Sequence, residues 1–194
     1  WDVVIPFEPL WIQYKRIIKD NGAIVLFGSQ PFTSALVMSN IKMFKYCWVW
    51  EKSTSSNFLQ SNFQPRKIHE DICVFSKSNA SYTKNTNKKM NYFPIMWGEQ
   101  KYQINENKNK PKSLLGRMPE GYNVKVTNTS GKKFPQSIIK FKIDKEKLHP
   151  TQKPVALLEY LIKTYTLEGE TVLDNCAGSF STAIACLNTK RSFI

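Results

Sequence analysis

Apolar positions recur at spacings of three and four in two stretches of the chain. Leu10, Tyr14, Ile17 and Ile18 mark one face of a helix over Phe7 to Asp20, with Pro9 in its first turn and Asn21-Gly22 as its stop. Val155, Leu158, Ile162 and Tyr165 mark one face of a second, opened by Pro154 and closed by Leu167-Glu168-Gly169. Shorter apolar and β-branched runs predict strands at Ala23 to Phe27, Tyr46 to Trp50, Ile72 to Phe75 and Thr171 to Leu173. The first of these is apolar throughout, which suits a strand covered on both faces of its sheet. Twice a strand runs through small residues into a helix: Phe27-Gly28-Ser29-Gln30-Pro31 leads to Thr33 to Ser39, and Asp174 to Ser179 leads to a helix near Ser181. That order predicts an α/β fold whose loops lie at the carboxyl edge of the sheet, where backbone N–H groups and helix N-termini meet a nucleotide-type cofactor.

Charge divides the 194 residues unevenly. Residues 77–147 hold 15 Lys and one Arg against five acidic side chains, +11 of a total formal charge of +13. The segment is rich in Asn, Ser and Thr, but it also carries apolar islands at Tyr92 to Trp97, Leu114-Leu115 and Phe134 to Ile143, so it reads as a small loop-rich lobe and not a solvated tail. Such a balance points to a polyanion, nucleic acid first. No apolar run approaches the roughly 18 residues of a membrane span, and no signal-peptide pattern opens the chain, so the expected location is cytoplasmic. Cys47, Cys73, Cys176 and Cys186 stand apart, each in or beside an apolar segment, and are read as buried free thiols; with only His69 and His149 as imidazoles, no metal site is expected. His69-Glu70-Asp71 reads as a structural strand entry.

The chemistry is carried by two blocks about twenty residues apart. HPTQKP, His149 to Pro154, precedes the second amphipathic helix, and LDNCAGSFS, Leu173 to Ser181, follows the next strand. Together they resemble the cofactor motifs of permuted, β-class-like DNA amino-methyltransferases, in which HPTQKP opens a helix beside the cofactor and a strand ending LDxFxGSGTT follows. WDVVIPFEPLWIQYKRIIKDNGAIVLFGSQPF and HEDICVFSK are similar to adenine-N6 members, bacterial or phage. The resemblance implies a Rossmann-like methyltransferase sheet and S-adenosylmethionine as cofactor. Asp174, Ala177, Gly178, Ser179, Phe180 and Ser181 would surround its amino acid moiety, His149, Thr151, Gln152 and Lys153 would line the other wall, and Phe27 and Gly28 would sit at the same edge. Gly28 is equally well explained as a turn glycine.

It further implies methyl transfer to adenine N6 in duplex DNA, with three parts: a catalytic-sheet half over 1–76, a basic target-recognition region over 77–147 and a cofactor segment over 148–194. The loop STSSNFLQSNFQPRK would face the target. Candidate DNA contacts are Lys52, Asn57, Gln64 and Arg66 there, and Lys88, Lys89, Lys112, Arg117, Lys132 and Lys133 in the basic segment; Gln100, Gln103, Asn105 and Asn107 are candidate base readers by type.

The chain departs from the pattern in three ways. Its ten prolines include no adjacent pair, so the catalytic motif [DNS]PP[YFW] is absent; in the permuted class it would precede Trp1. The sheet is therefore expected to be incomplete at both ends, and the chain to be inactive alone unless another chain or segment supplies the motif. Phe180 stands where the family loop has a second glycine, and Asn175-Cys176 replaces Pro-Phe, so the loop is expected to be crowded or to need a positive φ at Phe180. Two rival readings remain: a noncatalytic DNA-binding scaffold or subunit derived from a methyltransferase, and an RNA methyltransferase.

Overall fold

The computed structural model describes residues 3–81, 88–98, 102–103, 127–128, 131–144, 149 and 151–194. They fall into two units, one built from 1–93 and 136–194 and the other from 94–135. In the first unit the elements run α1 (Phe7–Ile17), β1 (Ile24–Gly28), α2 (Phe32–Ser39), β2 (Phe44–Lys52), a 3-10 turn (Phe58–Gln60) and β3 (His69–Phe75). In the second unit, β4 (Tyr102–Gln103) and β5 (Thr127–Asn128) pair antiparallel, and the backbones of Trp97 and Lys133 bridge. The chain then continues through β6 (Ile138–Phe141), α3 (Val155–Tyr165), β7 (Thr171–Val172), α4 (Ser181–Asn188) and β8 (Ser192–Phe193). No helix among the described residues is long and apolar enough to cross a membrane.

Four strands form a mixed sheet in the order β1-β3-β2-β6. β3 is antiparallel to both β1 and β2, and β6 is parallel to β2. A separate parallel pair joins β7 and β8. The alternation of each strand sends its side chains to two layers. On one face Trp48, Trp50, Ile72, Val74 and Ile139 pack against Leu157, Leu161 and Tyr165 of α3. On the other, Ile24, Cys73 and Phe75 pack against Trp11 of α1 and Leu36 of α2. β1 contributes Val25 and Phe27 to the first layer and Ile24 and Leu26 to the second, so the strand is covered on both sides as its sequence requires.

Three differences from the pattern-based reading have plain causes. α1 ends at Ile17, three residues early, because Ile18 turns extended and its N–H closes back on the Tyr14 carbonyl. α3 is buried on two sides and not one: Leu158 and Ile162 pack against Ala185 and Cys186 of α4, while Leu157, Leu161 and Tyr165 face the sheet. Each fully buried leucine there contributes about 1.5–3 kcal/mol. Finally, the island Phe134 to Ile143 supplies β6, and Met90 joins the core, so parts of the basic segment 77–147 pack within the first unit.

Candidate functional site

Because β3 runs opposite to β1 and β2, its first residues lie beside their last. Gly28 pairs with Asp71, Trp50 with Glu70, and Lys52 with Phe141 at the end of β6. This edge therefore collects the ends of β1, β2 and β6. Glu70 shares its face with Ile72 and Val74, below the turn that enters α3, and its half-buried carboxylate takes two ammonium groups, Lys52 Nζ at 2.5 Å and Lys153 Nζ at 2.8 Å. Lys153 also lies 5.1 Å from the centre of the Phe27 ring and 6.0 Å from that of Trp50, and Lys52 lies 5.3 Å from Trp50. Burial presses the Glu70 carboxyl upward, but the hydrogen bonds and charges of Lys153 and Lys52 outweigh it and hold the group below the ordinary carboxylate range. Read from sequence as a strand entry, Glu70 does lie in the opening residues of β3, and it also joins Lys52 of β2 to Lys153 of HPTQKP. The signal was present: an acid continuing the apolar stripe of Ile72 and Val74.

Gly28 has a packing reason of its own. It is buried, and a Cβ there would come within 2.8 Å of Thr33 Oγ1, whose hydroxyl donates to Asp71 at 2.9 Å. Close approach of α2 to the sheet thus requires glycine at this position.

The turn of HPTQKP is wound on itself. His149 Nδ1 lies 2.9 Å from Thr151 Oγ1, and the Gln152 N–H donates to the His149 carbonyl at 3.1 Å. Pro154 offers α3 no side-chain cap. Asp144 supplies one from afar, accepting the Val155 N–H at 3.2 Å and the Gln152 amide at 3.5 Å.

Between β7 and α4 the loop is shaped by Asp174. Its Oδ1 accepts the Cys176 N–H at 3.0 Å and its Oδ2 the Thr182 hydroxyl at 2.5 Å, so the carboxylate straps the end of the strand to the first turn of the helix. Ala177 to Phe180 form a turn closed by a 2.8 Å backbone bond, Gly178 has φ 50, and Ser179 and Ser181 share a 2.9 Å hydroxyl contact. Phe180 adopts φ 59 and ψ 20, the left-handed conformation expected of a glycine position, with its ring 60% exposed. Tyr14 reaches this loop from α1, donating to Asn175 Oδ1 at 2.9 Å. Burial, with the neighbouring Cys176 and Asp174, raises its phenol above the usual value. Phe27 and Val172 both pack against the Leu158, Ile162 and Ala185 cluster, which sets the β1 and β7 ends against one helix pair. Cys176 is exposed and Cys47 half-buried, so the reading of four buried thiols holds only for Cys73 and Cys186; Cys176 sits in a loop too short to have an interior.

The predicted DNA contacts scatter. Asn57, Gln64 and Arg66 are exposed on the β2–β3 loop, and Arg66 lies 5.4 Å from the centre of the Phe58 ring. Lys52 is held by Glu70. Lys88 and Lys89 pair with Asn79, beyond the end of β3 and thus at the opposite edge of the sheet. In the second unit Lys133 lies 5.7 Å from the centre of the Trp97 ring, and Lys132 precedes it. Lys112, Arg117, Gln100, Asn105 and Asn107 lie outside the described residues, and Gln103 is described by its backbone alone, in β4.

A family profile described as DNA methylase matches residues 5–194. The chain belongs to this family. Among its relatives, DNA adenine methyltransferase YhdJ of Escherichia coli (strain K12) is 28% identical over 181 residues, covering 92% of this chain and 57% of that protein. Type II methyltransferase M.HpaI of Haemophilus parainfluenzae is 25% identical over 199 residues, 98% of this chain and 54% of its own length. This DNA methylase chain thus spans a little over half the length of these relatives. Among solved structures, an M1.HpyAVI–SAM complex superposes with a TM-score of 0.61 at 23% identity, covering all of this chain and 76% of that one. The cytosine-N4-specific PvuII DNA methyltransferase gives 0.59 at 13% identity, over 96% and 64%. These likenesses carry the fold, a Rossmann-like methyltransferase sheet.

Proposed function

We propose that this chain is the cofactor-binding and DNA-facing part of an enzyme that methylates adenine N6 in duplex DNA. The observation that carries the reading is the seat of Lys153: one ammonium group ties HPTQKP to the end of β1 through the Phe27 ring and to the target-facing hairpin through Glu70. Three blocks far apart in sequence thereby share one sheet edge. The adenine assignment rests on the name of YhdJ and on the resemblance of the first 32 residues to adenine-specific members.

The residues present fit S-adenosylmethionine. The first turn of α4 directs backbone N–H groups and the positive end of its dipole to where a carboxylate would sit. Each Asp174 oxygen, although hydrogen-bonded, keeps a further lone pair for an ammonium group. A Cβ at Gly178 would only touch the Cys176 carbonyl oxygen, at 3.7 Å, so the turn is not congested. When bound, the cofactor supplies a sulfonium methyl group. The chain's share is to hold it with Asp174 and Ala177 to Ser181, to wall it with His149 to Lys153, and to align a base against Phe27 by position and electrostatics. In the family this chain resembles, accepting the amino hydrogens falls to the motif [DNS]PP[YFW], which is not among these 194 residues.

Calorimetric titration of S-adenosylmethionine into the chain tests this. We expect micromolar binding that Asp174→Ala weakens at least roughly tenfold, since the loop loses its strap. A folded chain that takes up no cofactor overturns the reading. Salt-sensitive DNA binding by that cofactor-free chain would then support the second reading, a DNA-binding scaffold.

A further inference from the structure

Cys47 and Cys73 face each other across the two central strands of the four-stranded sheet. They are register partners in the antiparallel pairing of β2 with β3, and their Sγ atoms lie 3.6 Å apart. Facing residues of such a pair have Cα atoms about 4.5–5.5 Å apart, inside the span of about 4.4–6.8 Å that a disulfide bridges. The two sulfurs can therefore close on each other without a change of register. Cys186, by contrast, packs among Leu158, Ile162 and Ala185.

The two thiols are not equivalent. Cys73 is fully buried in the cluster of Trp11, Leu36 and Phe75, whereas Cys47 is half-buried at the margin of that cluster. The contact with Cys73 lowers the Cys47 thiol below its usual value, against burial and the charge of Asp71. The same contact, together with burial, pushes the Cys73 thiol up. The more accessible group is thus the readier thiolate, and a second sulfur waits behind it. We propose that Cys47 and Cys73 form a two-thiol oxidation site for a hydroperoxide, closing reversibly to a disulfide between β2 and β3. The site faces the α1 and α2 layer, on the opposite side of the sheet from Glu70 and Trp50, and is independent of the cofactor reading.

The chemistry balances in two steps. The Cys47 sulfur attacks the terminal peroxide oxygen, the O–O bond breaks, and the other oxygen leaves with the thiol proton as an alcohol or water. Cys47 is then a sulfenic acid. The Cys73 sulfur attacks the Cys47 sulfur, the S–S bond forms as the S–O bond breaks, and the departing hydroxide takes the Cys73 proton as water. Sulfur is oxidised by two electrons in all, and the peroxide is reduced by two.

The test is to treat the folded 194-residue chain with a small excess of hydrogen peroxide, block free thiols with N-ethylmaleimide and map the peptides by mass. We expect a linked Cys47–Cys73 peptide that dithiothreitol releases, forming about tenfold faster in the folded chain than in urea because the register holds the sulfurs together. In Cys73→Ala, dimedone should instead trap a sulfenic acid at Cys47. Recovery of Cys47 and Cys73 as free thiols, or linked to other cysteines, overturns the site. A link that forms as fast in urea overturns it too, since the pairing is then a matter of chance. The decisive map is of the unaltered chain, so it stands even if a variant fails to fold.

Discussion

Phe180 concentrates the tension between packing and conformation at one residue. Its backbone is left-handed, φ 59, which costs an L-residue with a Cβ about 1–2 kcal/mol. Its ring is 60% exposed and recovers little by burial. Phe180→Gly should raise stability by about 1 kcal/mol after the added freedom of the unfolded chain is subtracted, measured by urea denaturation. Titrating S-adenosylmethionine into the same variant shows whether the ring helps or hinders the cofactor.

Glu70 is the other residue on which the site turns. Its carboxyl is held below its ordinary value, so its contribution to stability is complete above the unfolded-state pKa of about 4.3 and is lost as pH falls through the lower folded-state value. Glu70→Gln leaves two partly buried ammonium groups facing each other. The variant should be about 2 kcal/mol less stable at neutral pH, and the gap should narrow at about pH 3, as denaturation at the two conditions would show. A constant gap would mean that Glu70 acts through packing alone.

Among the elements, α3 was legible from its periodicity and α4 from the small-residue turn before Ser181, and the apolar runs Ala23 to Phe27 and Ile72 to Phe75 mark the strands Ile24–Gly28 and His69–Phe75 apart from their ends. What escaped were interactions whose partners are distant in sequence. Nothing near Pro154 indicates that Asp144 caps α3, because the two meet only once β6 has joined the sheet. Asp144→Ala should destabilise the fold by about 1 kcal/mol, an N-cap loss, seen in thermal or urea unfolding. The bond from Tyr14 to Asn175 was illegible for the same reason, spanning 161 positions. The need for a positive φ at Phe180, by contrast, was readable from the residue type the family places there. The second face of α3 was half-visible: Leu157 and Leu161 are apolar, but only the position of α4 shows that both flanks must be.

At the scale of the whole molecule, the charge is concentrated in one stretch of the sequence, part of which is β6 of the sheet. The sheet and its helices supply the ordered edge, and residues 77–147 supply +11 of the net +13. Affinity for duplex DNA should accordingly fall steeply and linearly with the logarithm of salt concentration, by about 0.9 for each phosphate neutralised. Lys132→Ala with Lys133→Ala should flatten that slope by up to about 2, whereas Lys52→Ala, which removes an ammonium group already spent on Glu70, should leave it unchanged. Anisotropy titrations over a range of salt would separate the two.

The hairpin of β2 and β3 has a consequence for how such an enzyme diversifies. Its neck is fixed by backbone bonds at Lys52, Ser56, Lys67 and Ile68, while everything beyond the neck is solvent-facing. Doubling the length of a flexible loop adds only about 0.6 kcal/mol of closure entropy. The tip is therefore a cassette: a longer, shorter or differently lettered segment can be exchanged there, by recombination or by an engineer, without re-registering a single strand of the sheet beneath it.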